Sequence, residues 1–443
     1  LISYIFYGWT DTNIIFLLFY TTLIIYFSGL FIEKYKYNSN VLIFKSIKIN
    51  LKKCFALFAI VNLILMLAFF KYFIFIQENI NNLLELYGKD ITEVYLVILP
   101  IGISFYTFQG ISYIVDVYKD DVKATKSFVD LSAYITMFSQ LIAGPIIRYS
   151  AIQDQLRRRT HNLKKIALGI VFFMLGFSKK IILANPMGNV ADVAFDSIFI
   201  SFFEAWIGLI AYSFQIYFDF SAYSDMAIGL GLMLGFSFPK NFDSPYKSIS
   251  ITMFWRKWHI TLSTWLKHYL YIPIGGNRKG VHRTYINLIT VMVIGGLWHG
   301  ASYNFLLWGF IHGFFLSIER YFGQFYKFQF HNFFKIIYTY FIILIAWVFF
   351  RSENIFNALQ YTKNLFDISN YSASSTYILG YMLSNYNILI FTTCIFIIWF
   401  TENSWQYLKN LTYIKVIFIL TVFAISIAIL ILDTYNPFIY FRF

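Results

Sequence analysis

An all-α, polytopic membrane protein is the fold this sequence predicts, and three observations carry it. Hydrophobic residues make up 59% of the 443-residue chain and charged residues 13%, where soluble domains carry about 25% charged residues. Mean hydropathy is +0.62. Apolar runs long enough to span a bilayer recur from end to end, separated by short basic or polar stretches. Their continuity favours helices over a barrel, whose strands alternate apolar and polar over about ten residues.

The spanning stretches, in order, are 12–32, 53–76, 92–118, 166–185, 197–217, 284–299, 302–318, 333–350, 377–400 and 412–432. Two more, near 128–145 and 218–236, are interrupted by glycine, proline or polar residues. At roughly 20 residues per crossing, about 11–13 membrane segments are expected, some of them re-entrant or interfacial. All belong to one membrane domain, 1–443.

The net charge of +13 is unevenly placed. Lysines crowd residues 34–53. Residues 145–180 hold Arg148, Arg157, Arg158, Arg159, Lys164, Lys165, Lys179 and Lys180 against the single acid Asp154. Residues 251–284 hold Arg256, Lys257, Lys267, Arg278, Lys279 and Arg283 and no acid. Positive charge accumulates in cytoplasmic loops, so 145–180 and 251–284 are assigned to the cytoplasmic side and acidic 77–93 to the other face. Topology and contact with anionic lipid account for the charge at 34–53 but less adequately for that at 251–284, and no nucleic-acid partner is expected.

The 251–284 stretch is too polar to span and too aromatic for a solvated loop. Trp255, Trp258, Trp265, Tyr269 and Tyr271 suit the headgroup level. A helix here would place Trp255 and His259 on one face, four residues apart. Pro273 would end it, and Gly275-Gly276 would allow a tight excursion. Arg256, Lys257 and Arg278 are candidates for the phosphates of a nucleotide-bearing acyl donor, although no Gly-Lys-Ser/Thr follows the glycines and the motif is no P-loop.

Two polar islands interrupt apolar surroundings. Residues 215–231 carry Asp219 and Asp225, which need partners to offset desolvation; they could orient a histidine or bond to neighbouring helices. Gly295-Gly296-Leu297-Trp298-His299-Gly300 sets an ionisable residue inside a membrane run. Such a residue is either a structural hydrogen-bonding group between helices or part of a reaction path. Cys54 and Cys394 form no CxxC, and the seven histidines show no HExxH spacing, so no metal site is expected.

Taken together, Leu99-Pro100-Ile101-Gly102, Leu141-Ile142-Ala143-Gly144-Pro145, Tyr217-Phe218-Asp219-Phe220-Ser221, Asn241-Phe242-Asp243-Ser244-Pro245-Tyr246, Phe254-Trp255-Arg256-Lys257-Trp258-His259, Tyr269-Leu270-Tyr271-Ile272-Pro273 and Gly296-Leu297-Trp298-His299-Gly300 resemble the membrane-bound O-acyltransferase family. The likeness is nearest to its bacterial branch, the membrane components of alginate and peptidoglycan O-acetylation and of teichoic-acid D-alanylation. The resemblance implies a helical funnel with His299 as catalytic histidine and His259, 40 residues earlier, as the second important one. Family members begin with one further membrane helix, so the numbered chain is expected to lack it.

The implied activity is an O-acyltransferase in the cell inner membrane. It would use a cytoplasmic donor, acetyl-CoA, and modify an envelope polysaccharide through a periplasmic O-acetyltransferase or esterase-like partner. Peptidoglycan is the preferred polymer, with alginate or another exopolysaccharide as the alternative. Acyl transfer to a hydroxyl needs a base for its proton and donors for the developing oxyanion. His299 suits the first role. His259, Asn287 or an indole such as Trp298 suits the second, while Gly296 and Gly300 would let backbone and substrate come close. No bound cofactor is required. The ending Pro437-Phe438-Ile439-Tyr440-Phe441-Arg442-Phe443 fits an aromatic membrane anchor. It also resembles a terminal Phe-x-Tyr-Phe motif of the same branch, in which Tyr440 would carry the acyl group transiently. Competing classes are a transporter, for which no inverted repeat is visible, and an assembly subunit without chemistry.

Overall fold

The computed structural model describes residues 1–9, 12–36, 41–44, 47–197, 199–323, 331–371, 376–432 and 435–437. Helices dominate, as expected, beside one antiparallel hairpin pairing Val41–Phe44 with Ile47–Asn50. Among the described residues, five helices are long and apolar enough to cross a membrane by length and composition: Thr12–Lys34, Leu51–Leu86, Leu163–Phe195, Asn332–Arg351 and Tyr413–Leu432. The protein is a multi-pass membrane protein. In lipid a helix satisfies all its backbone groups internally, and the apolar runs have little other choice.

Contacts gather into two compact units, Leu1–Asn162 with Leu234–Phe238, and Leu163–Met233 with Pro239–Phe443. In the first, Thr12–Lys34, Leu51–Leu86 and Ile103–Tyr118 bury Leu18, Ile25, Ala59, Leu63 and Ile114 against one another. The expected span 92–118 is shorter than anticipated. Residues 89–100 are not helical, and the helix begins only at Ile103, after Gly102 at φ 77°. Pro100 disfavours helical backbone before it, and a positive φ at Gly102 starts the new axis.

The second unit is built on Leu163–Phe195 packed along Phe202–Met233. A Cβ on Gly229 would lie 2.6 Å from the Gly169 carbonyl oxygen, so the two backbones touch. The stretches 197–217 and 218–236, expected as separate segments, form one 32-residue helix, Phe202–Met233. Its polar island does not break it because partners on the neighbouring helix neutralise the acids. Lys179 pairs with Asp225 at 2.6 Å and Lys180 with Asp219 at 2.7 Å.

Lys179 and Lys180, at the end of the basic stretch 145–180, sit within the spanning helix, as the apolar run 166–185 implies. A π-helical turn, Lys179–Ala184, interrupts the helix at that point. Such turns are rare and concentrate at functional positions.

Candidate active site

All side chains of the site belong to the second unit. Val281–His299 ends at His299 because Gly300 turns extended, at φ −164° and ψ 154°. Tyr303–Tyr321 then returns against the same helix. The return is tight. A Cβ on Gly296 would lie 2.1 Å from the Phe305 carbonyl oxygen, and one on Gly300 would lie 2.1 Å from the Phe305 ring. Both glycines therefore admit the neighbouring helix, and Gly300 also lines a cavity.

The His299 ring is buried, edge-on to Trp298, Trp308 and Phe350 at centroid distances of 5.0, 5.2 and 5.1 Å. Trp298 faces the second histidine as well: its ring lies 6.1 Å from His259. Two histidines 40 residues apart in sequence thus flank one indole.

His259 does not share a helix face with Trp255, as continuous helix would require. Ile251–Lys257 stops, Trp258 is extended, and His259 is left-handed at φ 41° before Ile260–Leu266 resumes. Asn241 makes the break. Its carbonyl accepts from Ile260 N–H at 2.9 Å, and its Oδ1 accepts from the Thr261 N–H and hydroxyl at 3.2 and 3.0 Å. His259 Nδ1 lies 3.2 Å from the same oxygen, and Asn241 Nδ2 donates to Ser224 at 3.0 Å. Left-handed backbone is costly for a non-glycine residue and persists where surroundings over-determine it. If Asn241 accepts from Nδ1–H, Nε2 carries the lone pair, and it has no hydrogen-bond partner among the described residues. Complete burial in this non-spanning segment lowers the His259 pKa to about 3, so the ring is neutral at physiological pH.

Beside His299 lies a cavity of about 450 Å³. Gly300, Ser302, Gln215 and Phe350 line it, together with Arg351 and Pro437. Arg351 is held by Asp192 at 2.6 Å and Asp196 at 3.2 Å. The cavity therefore combines an apolar wall shared with His299 and a polar wall whose cation is already neutralised.

Other candidates lie elsewhere. Asn287 sits on the His299 helix, about 18 Å of helix axis away, and its Nδ2 donates to the Gly276 carbonyl at 2.8 Å. It cannot reach an acyl carbonyl at His299. Asp219 pairs with Lys180; Asn241 instead supports His259. Arg256 and Arg278 are exposed and Lys257 half-buried, none with an ion pair among the described residues. Tyr440 lies outside the described residues. Trp308, Arg351 and a fully buried His312, 4.9 Å from Trp308 between ring centroids, were not anticipated. A histidine and a tryptophan one turn apart at 308 and 312 were the available signal.

The family model for membrane-bound O-acyltransferases matches residues 2–360. The chain belongs to this family. The family is one of acyltransferases, as the motifs had indicated. A probable alginate O-acetylase AlgI of Pseudomonas putida is 46% identical over 308 residues, covering 70% of this chain and 64% of that protein. Its Pseudomonas aeruginosa counterpart is 41% identical over 372 residues, covering 84% and 70%. A peptidoglycan O-acetyltransferase of Helicobacter pylori is 38% identical over 352 residues, covering 72% and 66%. The chain thus spans about two thirds of the length of these relatives.

Proposed function

We propose that this chain transfers an acetyl group from acetyl-CoA to a hydroxyl within the bacterial inner membrane, for onward O-acetylation of an envelope polysaccharide. The observation that carries the reading is the placement of His299 and His259 against one indole, at the edge of a cavity. His299 takes the hydroxyl proton as the oxygen attacks the thioester carbonyl. The C–S bond then breaks, and the leaving thiolate recovers the proton from His299. His259, neutral and held by Asn241, packs against the Trp298 indole; Trp298 or Trp308 N–H is the candidate donor to the developing oxyanion.

The charge pattern supports the direction of transfer. Val281, at the basic end of the helix, and His299 are separated by about 27 Å of helix axis. With 251–284 cytoplasmic, the donor arrives from that side, where Arg256, Lys257 and Arg278 are available to its phosphates, and the acceptor arrives through the cavity beside His299. Tyr440 follows cavity-lining Pro437 by three residues in the sequence, which supports an acyl relay through its phenol. A periplasmic transferase would then take the acetyl group to the polymer. The relatives of higher identity are named for alginate. That moves the weight from peptidoglycan to an alginate-like polymer, with peptidoglycan as the second reading.

Acetyl content of both polymers in a strain lacking the gene, complemented with wild type, His299→Ala or Tyr440→Phe, tests the proposal. Loss in the deletion and in both variants is expected. Normal acetylation with His299→Ala contradicts the chemistry, and normal acetylation with Tyr440→Phe removes the relay.

A further inference from the structure

Residues 435–437 follow the last spanning helix and lie against the Leu163–Phe195 helix through four polar contacts. Tyr435 donates its phenol hydrogen to Asp192 at 2.5 Å, and Asp192 also accepts from Arg351 at 2.6 Å. Asn185 Nδ2 donates to the Tyr435 carbonyl at 3.3 Å and to Asn436 Oδ1 at 3.2 Å. The Lys180 ammonium donates to the Pro437 carbonyl while pairing with Asp219. Asn185 and Asp192 lie two turns apart on one helix face, with Gly188 between them. A Cβ on Gly188 would lie 3.3 Å from the Tyr435 hydroxyl and 2.6 Å from Gln215 Nε2, so a small residue is needed where the phenol sits.

An amide, a carboxylate and a lysine on a membrane helix are costly unless paired, and here the backbone and side chains of 435–437 supply partners. The contacts are ionic and amide-type. Tyr435 and Pro437 are half-buried and Asn436 is exposed, so little apolar surface holds the segment down. Pro437 meanwhile lines the cavity that reaches Gly300 and Phe350, beside a His299 that is only 8% exposed.

We propose that Tyr435–Pro437 is a strap over the cavity beside His299, that Asn185, Asp192 and Lys180 are its latch, and that release of the latch admits the hydroxyl acceptor. The functional half of this rests on reading His299 as the base. The full chain, with Cys54→Ser and Cys394→Ala, is the background for both tests. In the first, Ser302→Cys inside the cavity is modified with a membrane-impermeant methanethiosulfonate, with and without Tyr435→Phe. Loss of the phenol hydroxyl is expected to speed modification at least tenfold; equal rates overturn the latch. In the second, Asn185→Cys and Asn436→Cys are joined as a disulfide, and acetyl transfer from acetyl-CoA to 4-methylphenol is followed. Cross-linking is expected to slow transfer at least tenfold, with recovery on adding dithiothreitol. Unchanged transfer in the cross-linked protein overturns the need for release. If His299→Ala transfers like wild type, the base is misassigned, whereas the modification rates still decide the strap.

Discussion

Lys180→Met probes the energetics of the buried polar seam in the second unit, together with the bond Lys180 donates to the Pro437 carbonyl. Lys180 and Asp219 lie 2.7 Å apart, with side chains 12% and 5% exposed, so water screens the pair little. Removing the ammonium leaves Asp219 buried without its cation, at a cost of about 3–5 kcal/mol. Removing both charges in Lys180→Met/Asp219→Leu eliminates that desolvation and replaces it with apolar packing, and the double variant is expected within about 1 kcal/mol of wild type. The coupling energy is then at least about 2–4 kcal/mol before any cost of Asp219→Leu alone is added, well above the scatter of independent sites. At roughly 2 °C per kcal/mol, the single substitution lowers Tm by about 6–10 °C. Thermal unfolding of the detergent-purified protein, read by tryptophan fluorescence across the four-member cycle, measures this. Additive single effects would refute the claim that the pair is desolvated and coupled.

Three further outcomes follow from the site. Asn241→Ala removes the oxygen that holds His259 Nδ1 and Thr261; transfer should fall about tenfold or more through loss of support for the Trp298 indole, the candidate oxyanion donor, with membrane insertion intact, and an unchanged rate contradicts the role of Asn241. Gly296→Ala places a methyl group 2.1 Å from the Phe305 carbonyl oxygen; the protein should fail to accumulate in membranes, and normal accumulation would show that the helix pair can separate. The His259 ring, with its pKa lowered to about 3, binds a proton less readily folded than unfolded. Its contribution to stability is complete above the unfolded pKa, about 6.5, and is lost as pH falls from there toward about 3. Histidine-labelled NMR should show a His259 signal that does not titrate between pH 5 and 8; a midpoint near 6.5 refutes its burial.

Much of this was legible because membrane helices leave the chain few options. The runs at 12–32, 333–350 and 412–432 reappear as Thr12–Lys34, Asn332–Arg351 and Tyr413–Leu432, since lipid requires backbone groups to be satisfied within each helix. His259 and His299 stood out as titratable groups in aromatic or apolar surroundings, and the structure brings both to Trp298. What sequence could not supply were effects set across distance. The kink at His259 depends on Asn241, and the uninterrupted helix through Asp219 depends on Lys180. Arg351, just past the run 333–350, is paired by Asp192 and Asp196, more than 150 residues earlier in the chain. Asn287, a candidate donor by residue type, is committed by its place on the helix to Gly276 instead.

The central claim is that His299 accepts the acceptor proton during acyl transfer. Purified wild-type and His299→Ala proteins, reconstituted in liposomes, can be compared in a single turnover with acetyl-CoA labelled in the acetyl group and 4-methylphenol as acceptor. Loss of a positioned base should slow acetyl-ester formation by about 10²–10⁴-fold while the variant retains wild-type Tm. Ester formation at the wild-type rate by a folded His299→Ala protein would contradict it.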